Sequence, residues 1–594
     1  MSITTPPDHR PPDPTPDDRP FAGVPEVDPV VDPVVDPEAH GFGLDEEVLS
    51  RTRHGLGQAA GYPSQRRRRR LGPQPSLLEA AALGVALVVG VVQRWNVLTG
   101  PLGYIDLDEA TAGIAARSFF AEPSVFFPGQ PYGGTPESVL VALVHQGFGS
   151  GTLQLKVVPI VLHLVACCLV WGAARRVVPS RAGQLAAPVL LWLGPAAGVW
   201  QSTKERGFYG AAIVAAALIV WLVARLDHHV TRSGGVTDDR AALTRRELVG
   251  LGLAMGVGWW ISPLLLLVAL PAVGWLLFRD PSRLDHWPRV LAGAVIGALP
   301  WIGWNVLHAF RSMRQPASLG TDAFTRFGDG VAKVAVLVGL ETPWDPDRTL
   351  VPMARFVAVA ILLVALVVAI SRHPSTGASL PAVLVVGYLL LYPLANNTGT
   401  VGADPRYLYP MLPALALLIA GLVPSPRWLP SSVVVLVVAG LAAASTSWGM
   451  VGLDEVRTLD VRFLEAPGTS RVIDLLEEQE VEFAVTDLAG TQITYETGGR
   501  VKASSFAVPR FDDLECLMLV EQPSTYVLDN NLANNVANLE WYLATNEIPY
   551  TKQQIGTWTV VFAEEWVPPW EAGLGMLLGV VREPDCPAPG VAPG

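Results

Sequence analysis

Hydrophobic residues are collected along the chain into blocks of about twenty, separated by charged or Pro/Gly-rich joints. A helix rises 1.5 Å per residue, so roughly 20 apolar residues cross a bilayer. The pattern therefore predicts a mainly α-helical, polytopic membrane protein with about eleven transmembrane helices. The predicted spans are residues 77–98, 153–172, 183–200, 207–226, 247–262, 263–279, 290–308, 351–371, 379–395, 406–424 and 429–449.

Composition agrees with this class: half of the 594 residues are hydrophobic and only 16% are charged, against about a quarter in a soluble domain. Residues 1–75 are rich in Pro and Asp and contain VDPVVDPVVDP, which predicts a disordered tail. The run Arg66–Arg70 is either a nucleic-acid patch or a cytoplasmic anchor, and its position before the first span favours the anchor. An odd number of spans then places the C-terminus outside.

The pattern changes after the membrane region, which covers residues 76–450. VEFAVTD, TYVLD and TWTVVFAEE alternate as strands do, whereas RVIDLLEEQ and NNVANLEWYLATN have helical spacing. Residues 455–570 are therefore predicted to form a small extracytoplasmic α/β domain, and residues 571–594 a flexible tail. Cys516 and Cys586 could pair outside the cell, while Cys167 and Cys168 lie inside a span.

The first outer loop, residues 99–152, is longer than a loop without a role usually is. It is predicted to hold two short helices, near 109–120 and 136–148. The second opens at GGTPES, with Thr135 as N-cap and Pro136 as the first helical residue.

Three carboxylates, Asp106, Asp108 and Glu109, open the first of these helices. Asp106 and Glu109 have the spacing of a reciprocal capping pair, which gives both a structural explanation. Asp108 has no capping duty; it is either a favourable charge at a helix N-terminus or a proton acceptor at the membrane boundary.

Cations stand at two joints that the topology places outside. STKERGFYG contains Lys204 and Arg206, and GADPRYLYP contains Arg406 followed by Tyr407. Because most Arg and Lys flanking spans are expected inside, these cations need an explanation. They either extend to lipid headgroups or bind the phosphate of a lipid-linked substrate.

The first span, the outer loop opening with an Asp-Glu pair on a short helix, and FFPGQPYGGTPES together resemble the GT-C superfamily of membrane glycosyltransferases. The similarity is greatest to the branch with protein O-mannosyltransferases and lipid A aminoarabinose transferases. It covers residues 77–450 and implies transfer of a sugar from a polyprenyl phosphate to an extracytoplasmic hydroxyl, with inversion, in a bacterial plasma membrane.

The resemblance also implies roles for single residues. Asp108 would be the base, chosen over Asp106 because it adjoins Glu109. The donor phosphate would be bound by Lys204, Arg206, Arg406 and Tyr407. Possible substrate contacts are Tyr132, Glu137 and His145.

Structural explanations compete for the weaker candidates: Glu137 as a helix-start acid, His145 as a satisfied interior histidine and Glu205 as the partner of a neighbouring cation. Near span ends, an interfacial belt is expected at Trp259, Trp260, Trp301 and Trp304.

Two other functions stay open. A lipid or sugar transporter would need charged groups inside the spans, where the sequence indicates almost none, and a membrane scaffold would act through the outer domain. No cofactor is expected, although a divalent metal is possible, as in the oligosaccharyltransferase branch. The expected partners are the lipid-linked donor, membrane lipids and a lipid, protein or polysaccharide acceptor, with no nucleic acid.

Overall fold

The computed structural model describes residues 74–230, 238–279, 281–313, 322–342, 348–372, 377–395, 405–450, 469–530, 534–576, 579–580 and 586. Residues 1–73 of the predicted N-terminal tail, with the Arg66–Arg70 cluster, lie outside the described residues, as does most of the predicted C-terminal tail.

Helices dominate the described part of the chain up to residue 450. They are α1 (Leu77–Thr99), α2 (Leu107–Ser118), α3 (Pro136–Phe148), α4 (Thr152–Val177), α5 (Arg181–Leu193), α6 (Ala196–Gln201), α7 (Tyr209–Val230), α8 (Asp238–Ile261), α9 (Leu266–Arg279), α10 (Trp287–Gly297), α11 (Leu299–Leu307), α12 (Ala323–Ala332), α13 (Val334–Leu337), α14 (Ala354–Arg372), α15 (Leu380–Leu391), α16 (Leu412–Ala420) and α17 (Ser431–Met450). A short hairpin, β1 (Phe126–Phe127) and β2 (Gln130–Gly134), lies between α2 and α3.

The chain is a multi-pass membrane protein, but the predicted count of eleven spans is not confirmed. Within the described residues, six helices are long and apolar enough to cross a membrane, and a seventh span is possible if α10 and α11, bent by 61°, count as one. The predicted span 183–200 is interrupted at Gly194 and Pro195, between α5 and α6. Hydropathy averages over such a break, because Gly and Pro stop a helix without making the segment polar.

Helices α8 and α10 pack backbone against backbone. A Cβ at Gly252 would lie 1.9 Å from the carbonyl oxygen of Val290, and one at Gly256 would lie 2.0 Å from that of Ala294. Gly293 and Gly297 face them across the contact. Small residues four positions apart allow this approach, which suits membrane helices that cannot rely on the hydrophobic effect to associate.

The C-terminal part is a five-stranded sheet with flanking helices. Its strands are β3 (Phe483–Thr486), β4 (Lys502–Ser505), β5 (Thr525–Asp529), β6 (Tyr550–Ile555) and β7 (Trp558–Ala563), in the order β4-β3-β5-β7-β6, followed by the small pair β8 (Gly575–Met576) and β9 (Gly579–Val580). Strand β3 is parallel to β4 and β5, whereas β7 is antiparallel to β5 and β6. The helices are α18 (Thr469–Glu478), α19 (Gly490–Glu496), α20 (Asp512–Glu521) and α21 (Asn535–Thr545).

The predicted small α/β region is therefore present, and its quoted strands and helices form where the patterns indicate. A disulfide joins Cys516 on α20 to Cys586. The chain between β6 and β7 turns in two residues, with Gly556 at a φ of +62°, which suits the tight hairpin.

The α8–α10 contact generates a stability prediction. Gly256→Val should lower the free energy of unfolding by about 1–3 kcal/mol, because the added side chain overlaps the α10 backbone. The measurement is the Tm of the purified protein in detergent.

Gly250→Val is the matched control, since a Cβ at Gly250 on the same helix meets no atom within 4 Å. Equal Tm values for the two variants would contradict the packing interpretation.

Candidate active site

Helix α2 begins at Leu107, two residues before the predicted start, and Asp106 caps it. Oδ1 of Asp106 accepts a hydrogen bond from the Glu109 amide at 2.9 Å, and Oε2 of Glu109 accepts one from the Asp106 amide at 3.1 Å. The reciprocal cap predicted for these two acids is confirmed. Asp108, the residue directly before Glu109, takes no part in this cap.

Helix α3 begins at Pro136, as predicted, but without the expected side-chain cap. Thr135 Oγ1 donates instead to the carbonyl oxygen of Ser124 at 2.7 Å, tying the start of α3 to the β1–β2 hairpin.

Glu109 is fully buried between two lysines. Its Oε1 lies 2.5 Å from Nζ of Lys156, and its Oε2 lies 2.7 Å from Nζ of Lys204. Both ammonium groups also donate to the carbonyl oxygen of Tyr104. Because the side chains of both lysines are at most 3% exposed, Glu109 supplies compensating charge that water cannot.

Asp106 faces a second cation from the same loop. Arg206 Nη2 lies 2.9 Å from Asp106 Oδ2, and Lys204 Nζ lies 3.5 Å from the same oxygen. Burial acts to raise the pKa of Asp106, but Arg206 and Lys204 outweigh it and hold the pKa well below its usual range. Lys204 and Arg206 are buried, so the alternative that they extend to lipid headgroups is wrong.

Asp108 is bridged by two arginines from distant parts of the chain. Nη1 of Arg406 lies 3.2 Å from its Oδ2, and Nη2 of Arg510 lies 2.5 Å from its Oδ1. Arg406 precedes the short apolar helix α16, whereas Arg510 lies in the C-terminal part, between β4 and α20. The structure thus brings the predicted acid and one predicted cation together and adds an arginine that the sequence patterns do not indicate.

Arg510 is held in place by the β1–β2 hairpin. With the Gln130 amide oriented so that its oxygen faces the guanidinium, this oxygen accepts from Nη1 at 2.8 Å and Nη2 at 3.0 Å. Gly129, at a φ of +69°, allows the hairpin backbone to pass close to Arg510. A Cβ at Gly129 would lie 3.0 Å from Cδ of Arg510.

Tyr132 and Tyr407 lie beside this bridge. The Tyr132 ring packs edge-on against Phe208 at 6.0 Å, and burial raises the pKa of its hydroxyl, as do Tyr407 and Asp108. The Tyr407 ring lies 6.5 Å from that of Tyr209 at the start of α7. These rings form an aromatic wall next to the two arginines.

Glu137 and Glu205 form an acid pair that the sequence does not indicate. Both are fully buried. Glu137 Oε2 accepts from the Ala211 amide at 2.8 Å, which caps α7, and Glu205 Oε1 accepts from the Gly207 amide at 3.3 Å. The side chains of the two acids face one another, so the expectation that Glu205 pairs with a cation is wrong. Burial, together with Glu137, raises the pKa of Glu205 well above its ordinary value.

His145 is buried, and neither ring nitrogen has a hydrogen-bond partner in the described part of the chain. The expectation of a satisfied interior histidine is therefore wrong. Burial lowers the pKa of His145, and nearby Arg117 lowers it further.

Tryptophans at the predicted belt contact each other or the first loop. Trp259 packs against Trp301 at 5.5 Å, Trp304 against Phe126 at 4.8 Å, and Trp260 Nε1 donates to the carbonyl oxygen of Val125 at 2.9 Å.

The C-terminal part docks on α2 through α19. The Tyr495 ring occupies the space over Gly113, where a Cβ would lie 2.2 Å from a ring carbon. The guanidinium of Arg117 stacks over the same ring at 4.0 Å, and Thr491 Oγ1 donates to the carbonyl oxygen of Leu107 at 3.3 Å. The helix that carries the acids is thereby fixed to the domain that carries Arg510.

The expectation of almost no charge inside the spans is wrong, and two of the buried charges there lie beside the first loop. Arg94 in α1 is buried and stacks over Trp192 at 3.6 Å, and Lys156 in α4 pairs with Glu109. Both lie near the helix ends that adjoin the first loop. A hydropathy average over an apolar run does not show which residue an isolated charge in that run pairs with.

Comparison with solved structures shows the fold. A crystal structure of ArnT from Cupriavidus metallidurans in the apo state matches with a TM-score of 0.54 and 14% identity, covering 81% of this chain and 97% of that one. ArnT bound to undecaprenyl phosphate matches with a TM-score of 0.51, 14% identity and the same coverage. The archaeal oligosaccharyltransferase AglB from Archaeoglobus fulgidus gives 0.42 at 13% identity, over 83% of this chain and 75% of that one.

Comparison with protein-family models and with curated proteins gives no match. The chain has the fold of ArnT, so the fold that the resemblance implies is confirmed.

The buried network predicts that Glu109→Gln destabilises the protein by about 3–5 kcal/mol, because Lys156 and Lys204 lose their common counter-charge. Denaturant unfolding in detergent measures the change. Glu540→Gln, which removes the exposed partner of Lys552, should leave stability almost unchanged. A similar loss in both variants would argue against the network.

The acid pair predicts a pH dependence. Above about pH 4.5 the unfolded chain releases the proton that folded Glu205 retains, so this residue costs stability as the pH rises towards its folded pKa. Glu205→Gln should therefore raise Tm at about pH 8 and have little effect at about pH 4.5. A Tm difference that does not vary with pH would contradict the assignment.

Proposed function

We propose that the protein is a membrane glycosyltransferase that moves a sugar from a polyprenyl-phosphate donor to an extracytoplasmic hydroxyl, with inversion. The observation that carries the proposal is Asp108 between Arg406 and Arg510, on the helix whose Glu109 pairs with Lys156 near the start of α4. A carboxylate and a pair of guanidinium groups at a membrane boundary suit a reaction whose leaving group is a lipid phosphate. The ArnT fold supports the class of enzyme, and undecaprenyl phosphate bound to ArnT supports the class of donor.

In the proposed reaction Asp108 takes the proton from the acceptor hydroxyl while the oxygen of that hydroxyl attacks the anomeric carbon of the sugar. The new carbon–oxygen bond forms on one face while the bond to the phosphate oxygen breaks on the other, and the electron pair leaves with the phosphate. Arg406 and Arg510 stabilise that charge. A positioned base of this kind contributes typically 10²–10⁴-fold.

Lys204 and Arg206, predicted as phosphate ligands, are proposed to act differently. Their charges are matched by Glu109 and Asp106, so we assign them to holding α2 in place. Phosphate binding falls to Arg406 and Arg510, with Tyr132 and Tyr407 as the wall beside the sugar.

The sidedness of the reaction is part of the proposal. The disulfide between Cys516 and Cys586 suits an oxidising compartment, which supports an extracytoplasmic C-terminal domain. Since Arg510 of this domain contacts Asp108, the acids belong on the same side of the membrane. The acceptor is proposed to be a hydroxyl of a lipid, protein or polysaccharide reached there.

The proposed reaction uses no metal ion, because guanidinium groups meet the charge of the phosphate. Transport is not favoured as an alternative: Lys156 is the fifth residue of α4 and Arg94 lies five residues before the end of α1, so these buried charges are far from the middle of their helices.

The test is turnover of a polyprenyl-phosphate sugar by purified Asp108→Asn protein. Loss of the proton acceptor should lower kcat by about 10²–10⁴-fold while the donor still binds. Glu122→Gln, an exposed acid just beyond α2, is the control and should keep full activity. Undiminished kcat in Asp108→Asn would refute the role of the base.

A further inference from the structure

Asp108 and Glu109, neighbours in the first turn of α2, differ in how far their ion pairs are enclosed. The pairs of Glu109 with Lys156 and Lys204 are sealed, with side-chain exposures of 0%, 1% and 3%. The Asp108–Arg406 pair is more open, with exposures of 15% and 20%. Only the second kind of pair can exchange partners without first bringing water into the interior.

The guanidinium groups of Arg406 and Arg510 come from separate parts of the chain. Each contacts a different oxygen of the Asp108 carboxylate. Each donates to Asp108 through a single nitrogen, although a guanidinium fork matches an anion best with two. Asp108 therefore places a small anion, one carboxylate, where two guanidinium groups converge. A phosphate monoester or diester, with more oxygens at wider spacing, fits two forks better than one carboxylate does.

We propose, on the basis of the proposed function, that Asp108 is a placeholder for the donor phosphate in the resting protein. The polyprenyl phosphate displaces Asp108 from Arg406 and Arg510 when it binds. The exchange leaves the arginines on the phosphate and releases the carboxylate towards the acceptor hydroxyl.

This exchange links donor binding to activation of the base. While both arginines hold Asp108, its two oxygens are directed to the guanidinium groups. Once the phosphate has taken the guanidinium groups, the carboxylate can turn to the acceptor hydroxyl. Binding is thus ordered, with the donor before the acceptor.

Affinity for undecaprenyl phosphate, measured on the full-length protein in nanodiscs, tests the exchange. Asp108→Asn should bind about 5- to 10-fold more tightly than the wild type, because the phosphate no longer competes with a carboxylate for the arginines. Equal or weaker binding by a folded Asp108→Asn protein overturns the proposal.

A double-mutant cycle with Arg510→Gln separates exchange from a general change in charge. With one of the two arginines absent, the gain from Asp108→Asn should fall to about twofold. A gain of unchanged size in the Arg510→Gln background overturns the proposal, and so does an equal gain in Glu122→Gln, which removes one exposed negative charge beyond the end of α2.

The proposed function and the proposed exchange can be refuted independently of each other. If the wild type transfers no sugar from any polyprenyl-phosphate donor while Asp108→Asn still binds undecaprenyl phosphate more tightly, the enzyme assignment is wrong and the exchange stands. If transfer occurs and affinity is unchanged in Asp108→Asn, the enzyme assignment stands and the exchange is wrong.

Discussion

The need to neutralise buried cations fixes the arrangement of the site. Lys156, Lys204 and Arg206 lie in the interior with at most 3% exposure, and each would cost several kcal/mol there without a counter-charge. Asp106 and Glu109, at the start of one short helix, are shared as partners by these three cations. Helix α2 is therefore fixed simultaneously to α4 and to the loop before α7.

This constraint decides what Asp108 can do. Successive helical residues point about 100° apart, so the turn that directs Glu109 to the two lysines directs Asp108 elsewhere. It meets Arg406 and Arg510, the more open of the two sets of cations. Within a single turn, the acids that hold the helix in place thus point away from the acid that we propose for the chemistry.

Local patterns predicted what depends on local interactions. The apolar blocks indicated a helical membrane protein, the Asp106–Glu109 spacing indicated the cap, and strand alternation indicated the C-terminal sheet. Sidedness also led to Arg406, which the fold brings to Asp108 across 298 positions of sequence. The span count is not confirmed, and breaks such as Gly194–Pro195 show why it is hard to predict, because hydropathy does not register a change in direction.

Pairings between distant residues were beyond these patterns. Lys156 reads as an isolated charge in an apolar run, and Glu205 has Lys204 and Arg206 beside it in sequence but faces Glu137 in space. Arg510, 402 positions from Asp108, stands in a loop with no motif around it. The one available signal is its place after β4, since the carboxyl ends of parallel strands are where such sheets present binding groups.

The position of Arg510 also bears on the role of the C-terminal domain. A domain that only covered the site would gain nothing from burying an arginine against it, because a guanidinium that is 9% exposed needs a counter-charge. Asp108 is that counter-charge, and Tyr495 over Gly113 fixes the distance between the two elements. Docking of the domain therefore adds the second of the two arginines that contact Asp108, and the site that we propose draws residues from both parts of the chain.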